Sequence, residues 1–100
     1  MFGLVVRFDL RDNHSAGAFD ALVAATLEQI EANEPGTLVY AVHHVEDAPL
    51  SRIFYELYRD RAAFDTHEQQ EHTKRFLAER EQYLQDKRVE FLDLQHGKGV

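Results

Sequence analysis

The sequence predicts an α+β protein with a ferredoxin-like β-α-β-β-α-β order and an antiparallel sheet. One hundred residues form one small domain. Along the chain, hydrophobic residues change from period-two spacing to helical spacing and back in that order. Neither face of the predicted sheet is consistently polar, whereas a sheet with one face in water should alternate sharply. We therefore expect a second subunit on that face, in a homodimer that forms a dimeric α+β barrel.

The first strand and the first helix are predicted from the amino end of the chain. Apolar residues alternate with others from Phe2 to Asp9, as in a strand. Asp12 begins a helix-start signal, since short oxygen-bearing side chains accept the free amides of a first turn. Apolar residues then follow at helical spacing up to Ile30. Pro35 disfavours helical geometry in the residue before it, so we expect the helix to end there.

A hairpin is predicted next. Residues Thr37 to Val45 are rich in β-branched and aromatic side chains and are typical of a second strand. We interpret Glu46 to Ser51, which includes an aspartate and a proline, as the hairpin connection. The third strand is expected from Arg52 to Tyr58.

The last helix and strand complete the order. Asp60 is placed as an N-cap, and a helical stripe of apolar residues continues to Leu84, with an interruption expected at the glutamine pair 69–70. The last strand is predicted from Val89 to Gln95. We assign residues 1–96 to a single domain and residues 97–100 to a short tail.

Composition excludes several classes of function. The net charge is −7, and no basic face is evident that would neutralise nucleic-acid phosphates. No apolar run reaches the roughly 18 residues of a membrane span, and the first residues lack the features of a signal peptide. The absence of cysteine excludes disulfides and thiolate catalysis. We expect a cytoplasmic protein that binds neither nucleic acid nor membrane.

Three segments carry a resemblance to a known family: Glu34–Tyr40, Phe54–Asp60 and Ala63–His67. Their order of glycine turn, strands and helix start with a histidine resembles the antibiotic biosynthesis monooxygenase family. Its members are small dimeric α+β barrels and include cofactor-free oxygenases of quinols and anthrones. The resemblance implies no cofactor, a small aromatic or quinol substrate, and a pocket-lining side chain at the position of His67.

His67 is the first candidate for catalysis. It follows Phe64 by about one turn on the helix face that is expected to look toward the sheet, and an imidazole can move a proton near neutral pH. The alternative is a histidine that only makes structural hydrogen bonds. His72 would diverge from His67 on an unbroken helix, but a break between them would bring the rings nearer. An exposed, solvated His72 is the other interpretation.

Glu56 stands in an otherwise apolar strand. A carboxylate in the middle of a sheet needs a partner, or its pKa rises. We expect a structural role in which Glu56 pairs with Arg7 or Arg52, and the alternative is a proton acceptor.

Further pocket candidates are mainly aromatic. We expect Phe64, Tyr40 and Tyr55 to contact a substrate, since a tyrosyl hydroxyl can orient a phenol, although tyrosines at such positions are more often part of the core. Thr26 is a polar residue on an apolar helix stripe, and it either marks the pocket wall or is simply tolerated there.

A metal or haem site is not expected. His43 and His44 are neighbours on a strand and face opposite sides, so they do not bind one ion together. Haem-degrading relatives of the family use asparagine, tryptophan and histidine, and the corresponding positions here hold Val6, His67 and Leu77. The predicted cofactor content is therefore none.

The leading interpretation is a cofactor-independent monooxygenase acting on a small aromatic or quinol. One alternative is an isomerase of a small dicarbonyl compound, phosphorylated or not, because the segment Tyr58–Ala63 resembles relatives of that kind. A phosphate would need an arginine or lysine at the pocket mouth, and Arg7, Arg52 and Lys74 are the candidates. A non-catalytic dimeric protein that binds a small molecule is the third possibility.

Overall fold

The computed structural model describes residues 1–100 and contains four strands and three helices. Their order confirms the predicted β-α-β-β-α-β arrangement, with the second helical region divided into two helices and a short 3-10 turn. The elements are β1 Phe2–Leu10, α1 Asn13–Asn33, β2 Thr37–Val45, β3 Ala48–Tyr58, α2 Arg61–Gln69, α3 Glu71–Glu79, the 3-10 turn Arg80–Tyr83 and β4 Leu84–Asp93.

The four strands form one antiparallel sheet in the order β2-β3-β1-β4. The helices cover one face of this sheet, where the apolar side chains of β1 and β3 meet those of the helices. The largest fully buried side chains lie in this layer: Tyr58, Phe8, Phe19 and Phe54. The main core therefore lies between the sheet and the helices.

Side-chain caps set the helix boundaries as predicted. Asp12 accepts the Ser15 amide at 2.7 Å, and Asp60 accepts the Ala63 amide at 2.8 Å. The predicted interruption is confirmed, because Gln70 has an extended backbone with ψ of 142° between α2 and α3. The helix direction therefore changes after His67, which allows α3 to pack differently from α2.

The predicted hairpin connection was too long. Strand β3 begins at Ala48 rather than Arg52, so the turn needs only Glu46 and Asp47. Asp47 has a φ of 61°, and an aspartate tolerates this left-handed conformation better than most residues. The connection is therefore a tight turn.

The last strand was also predicted wrongly. β4 runs from Leu84 to Asp93 rather than from Val89 to Gln95, because the 3-10 turn ends the helical region one residue before Leu84. Most of β4 is an exposed edge, and its first half contains the polar residues 85–88. A strand that buries little on either face shows no apolar alternation, so the sequence pattern did not reveal its start.

The opposite face of the sheet carries apolar side chains that no helix of the chain covers. Val5, Ile53 and Tyr55 lie half-buried on this face, beside the buried Leu57. Such a surface is unusual on a monomer in water. None of the helices is long and apolar enough to cross a lipid bilayer.

Candidate active site

A cavity of about 120 Å³ lies between the sheet and helices α2 and α3. One water needs roughly 10–15 Å³ by this type of measure, so the space admits a small organic molecule. Ten lining residues are apolar: Leu4, Val6, Phe8, Tyr40, Phe54, Phe64, Phe76, Leu77, Val89 and Phe91. The polar lining residues are Glu56, His67, Glu68, Thr73 and Arg80. A few polar groups in a largely apolar cavity are typical of a binding site.

His67 occupies the buried wall of this cavity. Phe64 and His67 are three residues apart on α2, so they share the helix face toward the sheet. The imidazole lies between Tyr40 and Tyr58, at ring-centroid distances of 5.7 and 5.3 Å. Its side chain is only 5% exposed. This placement excludes bulk water from the ring.

Glu34 holds the His67 ring by a hydrogen bond from Nδ1. Its carboxylate, at the end of α1, accepts hydrogen bonds from His67 Nδ1 at 2.6 Å and from the Thr37 hydroxyl at 2.7 Å. A third bond comes from His72 Nε2. Burial alone raises the pKa of Glu34, but the bonds from His67, His72 and Thr37 outweigh it and hold that pKa below its ordinary value. Glu34 is therefore an ionised carboxylate with three donors.

This arrangement determines the tautomer of His67. An ionised carboxylate can only accept hydrogen bonds, so Nδ1 must carry the proton that is shared with Glu34. In the neutral ring, Nε2 is then an unprotonated acceptor. Nε2 lies on the Glu56 side of the ring, 4.0 Å from Glu56 Oε1. His67 is therefore oriented to take a proton from a molecule in the cavity.

Glu56 also faces the cavity, with one hydrogen bond. It accepts from the Tyr58 hydroxyl at 2.6 Å, and it pairs with neither arginine that we expected. Arg7 donates hydrogen bonds to Ser51 and Asp9, and Arg52 donates to Asp20 on α1. Burial raises the pKa of Glu56, and the Tyr58 bond only partly opposes this.

Arg80 lines the cavity, although it was not among the predicted site residues. Its guanidinium carbon lies 5.1 Å from the Phe8 ring centroid and 5.3 Å from that of Phe76. Its buried Nε has no hydrogen-bond partner, and the nearest carboxylate, that of Glu81, is 3.8 Å away. Burial lowers the pKa of Arg80. A cation among apolar residues at helical spacing is the signal that would have identified it.

The structure brings only some of the predicted residues together. Phe64, Tyr40, Glu56 and His67 line the cavity. His72 meets His67 at Glu34, with its side chain 12% exposed, but it does not line the cavity.

The remaining candidates lie elsewhere. Tyr55 lies on the opposite sheet face, next to Gly3 and Leu57. Thr26 is buried in α1, where its hydroxyl donates to the Leu22 carbonyl at 2.8 Å. It does not line the cavity.

Glu34 was missed as a site residue because the sequence places it 33 residues before His67. It was interpreted as the end of a helix before proline and as the first residue of a segment that carries the family resemblance. The histidine pair on β2 does not approach the cavity: His43 Nδ1 lies 3.2 Å from the Ile53 carbonyl, and the His44 side chain is 73% exposed.

Comparisons with known proteins agree with this fold. A family model described as antibiotic biosynthesis monooxygenase matches residues 1–79. A crystal structure of an antibiotic biosynthesis monooxygenase superposes with a TM-score of 0.84 at 24% identity, covering 96% of this chain and 100% of that one. Rv0793 from Mycobacterium tuberculosis gives a TM-score of 0.87 at 24% identity, with 96% of each chain covered.

A third similar structure is PA3566 from Pseudomonas aeruginosa. It superposes with a TM-score of 0.76 at 26% identity, covering 95% of this chain and 94% of that one. No protein with a curated function matches the sequence. The likeness therefore extends over nearly the whole chain, and the family match covers more than half of it.

Proposed function

The chain belongs to the antibiotic biosynthesis monooxygenase family, and we propose that it is a cofactor-independent monooxygenase of a small aromatic or quinol substrate. Family membership supports a monooxygenase-like function. The proposal of a cofactor-independent reaction on a hydroxyaromatic substrate is supported mainly by the buried His67. Its Nδ1 is held by Glu34, and its Nε2 is left for the cavity. A hydroxyaromatic substrate needs a base of this kind to become reactive toward dioxygen.

The proposed reaction obtains its electrons from the substrate. His67 Nε2 removes a proton from a hydroxyl of the bound quinol, and the resulting anion passes one electron to dioxygen. The two radicals combine through a new carbon–oxygen bond to give a peroxide. The peroxide O–O bond then breaks with loss of the ring hydrogen, and His67 returns its proton to the departing hydroxide. Hydroquinone plus dioxygen thereby gives hydroxybenzoquinone plus water.

The other side chains support binding and orientation. The Phe and Tyr rings around the cavity offer flat apolar contacts to an aromatic ring. Burial, with a further contribution from Glu56, raises the pKa of Tyr40 well above its ordinary value, so its hydroxyl stays protonated. A protonated hydroxyl can donate a hydrogen bond to a substrate oxygen.

Oxygen uptake with a series of substituted hydroquinones tests the proposal. We expect uptake in stoichiometric proportion to hydroxyquinone, with one atom from ¹⁸O₂ in the product. The His67→Ala variant should lose this activity, while His44→Ala, which removes an exposed histidine, should keep it. Binding of quinols without oxygen uptake would instead support a non-catalytic binding protein.

None of the three basic residues expected for the isomerase alternative lines the cavity. Arg7 and Arg52 are engaged in ion pairs away from the cavity, and Lys74 is exposed and does not line it. Isomerisation of a dicarbonyl compound, followed by NMR, would nevertheless reveal such an activity in the same preparations.

We also propose that the chain forms a homodimer through the uncovered sheet face. The apolar side chains of Val5, Ile53 and Tyr55 support this, because a second sheet would remove them from water. A stable interface of this type should bury more than roughly 1,200 Å² in total. Analytical ultracentrifugation should give a dimer at micromolar concentration, and Tyr55→Glu should shift it toward monomer. A wild-type monomer would contradict the proposal.

A further inference from the structure

Arg80 has a charged group in the cavity that the proposed chemistry does not use. Its side chain is 13% exposed, and its Nε is buried without a hydrogen-bond partner. Buried polar groups in folded proteins nearly always have a partner, because an unpaired one loses its hydration without compensation. Arg80 Nε is the only buried side-chain nitrogen or oxygen of this chain without such a bond. Arg80 lines the cavity, so a molecule bound there is a candidate partner for its guanidinium group.

Neighbouring protein groups do not supply this partner. Glu81 Oε1 is 3.8 Å from Nε and belongs to a largely exposed side chain. Glu56 instead accepts a hydrogen bond from the Tyr58 hydroxyl. The rings of Phe8 and Phe76 hold the guanidinium by cation–π contact, which positions the group but leaves its N–H donors free. The arginine is thus positioned by the core and has donors to offer.

We infer that Arg80 binds an anionic oxygen of the substrate, a carboxylate or a phenolate attached to an aromatic ring. The inference rests on the proposed function in taking this cavity as the substrate site. A guanidinium is the side chain best suited to such an oxygen, since its planar donors match carboxylate geometry and it keeps its charge when buried. The apolar lining then receives the ring, and His67 faces the same space.

The carboxylates near the cavity do not prevent this binding. Glu56 accepts a hydrogen bond from the Tyr58 hydroxyl, which offsets part of its negative charge. Glu68 is half-buried, so water screens its charge more than that of a fully enclosed group. Arg80 is the only lysine or arginine among the residues that line the cavity, and it therefore supplies the attraction for an anion.

Binding of benzoate and of benzamide, followed by NMR titration and calorimetry at pH 8, tests the inference without requiring turnover. The two probes have nearly the same shape but differ in charge. Since a hydrogen bond to a charged group contributes about 1.5–3 kcal/mol, we expect benzoate to bind roughly tenfold to a hundredfold more tightly. Arg80→Gln should remove this preference and leave benzamide binding almost unchanged. Arg80→Lys should restore part of the preference.

Arg75→Gln is the matched control, because it removes the same charge from an exposed arginine that pairs with Glu79 at 3.0 Å. It should bind benzoate like the wild type. In a second arm, 4-nitrophenol reports its own ionisation by absorbance, so a shift toward phenolate on wild-type protein but not on Arg80→Gln identifies phenolate recognition. A response to benzoate alone would restrict the site to carboxylates.

Equal affinity of the wild-type protein for benzoate and benzamide, together with no phenolate shift, would overturn the inference, and this comparison needs no variant. The outcome is separable from the proposed function. Oxygen uptake with neutral hydroquinones but no anion preference would refute the role of Arg80 alone. Anion preference without oxygen uptake by any quinol would refute the monooxygenase proposal and leave Arg80 as a ligand-binding residue.

Discussion

Glu34 and Glu56 are both 6% exposed, yet their pKa values shift in opposite directions. Glu34 accepts three side-chain hydrogen bonds, and these hold its pKa below the ordinary value although burial opposes this. Glu56 accepts one, from Tyr58, and burial raises its pKa. The three donors therefore keep the pKa of Glu34 low against the effect of burial, whereas the single donor to Glu56 does not offset its burial.

The comparison extends to the surroundings of each group. The end of α1 around Glu34 is saturated with hydrogen bonds from two histidines and a threonine, which is typical of a supporting structure. The cavity around Glu56, in contrast, is lined by a residue with an unsatisfied hydrogen-bond donor, Arg80 Nε. His67 belongs to both regions, with one ring nitrogen on Glu34 and the other near Glu56. The hydrogen-bonded region around Glu34 thus orients His67, which acts in the cavity.

The largest expected effect separates the two histidines that bind Glu34. His67→Ala should lower kcat/KM for quinol oxidation by about 10²–10⁴-fold, the usual contribution of a general acid–base group. His72→Ala is the matched control: it removes an imidazole from the same carboxylate, but that ring does not line the cavity. It should reduce the thermal midpoint and preserve kcat/KM. If His67→Ala and His72→Ala both keep the kcat/KM of the wild type, His67 is not part of the mechanism.

The next largest effect concerns Glu34, which holds the His67 ring. Glu34→Gln should lower the free energy of unfolding by about 3 kcal/mol at pH 7.5, because it leaves buried donors without a charged acceptor. Urea unfolding measures this, and Glu31→Gln, at an exposed position on the same helix, is the control. A loss below about 1 kcal/mol would mean that the hydrogen bonds to the Glu34 carboxylate contribute little to stability.

The same variant has a defined pH dependence. Because the folded-state pKa of Glu34 is lowered, its stabilising contribution is complete above the ordinary glutamate pKa of about 4.3. The contribution is lost as pH falls through the lower, folded-state value. The stability difference between wild type and Glu34→Gln should therefore shrink as the pH falls below the ordinary glutamate pKa. A difference that does not shrink in this acid range would contradict the assigned charge.

The smallest expected effect has the opposite sign. The raised pKa of Glu56 means that its ionisation opposes folding above the ordinary glutamate pKa. Glu56→Gln should therefore increase the free energy of unfolding at pH 8 by on the order of 1 kcal/mol, since glutamine can still accept from Tyr58. The gain should vanish as the pH falls below the ordinary glutamate pKa of about 4.3, where the carboxyl becomes protonated in both states. Destabilisation at pH 8 would show that the charged form of Glu56 is needed.

Local patterns predicted the fold well where one face of an element is buried. Strand β1 alternates and was recognised, whereas most of β4 is exposed on both faces and its start was missed. His67 was found because it lies one turn from Phe64 on α2. Glu34 was not found as its partner, because sequence spacing carries no information about a contact between the end of α1 and α2. Only the packing of the helices brings these residues together.

The tautomer of His67 is the most direct test of the account, since Glu34 can act on the cavity only by holding Nδ1–H. Two-bond ¹H–¹⁵N NMR spectra of protein labelled at the histidine rings, recorded at pH 8, distinguish the two ring nitrogens. We predict that Nδ1 is protonated, that Nε2 is free, and that Glu34→Gln weakens this preference. A proton on Nε2 with Nδ1 free in the wild-type protein would contradict the proposed base.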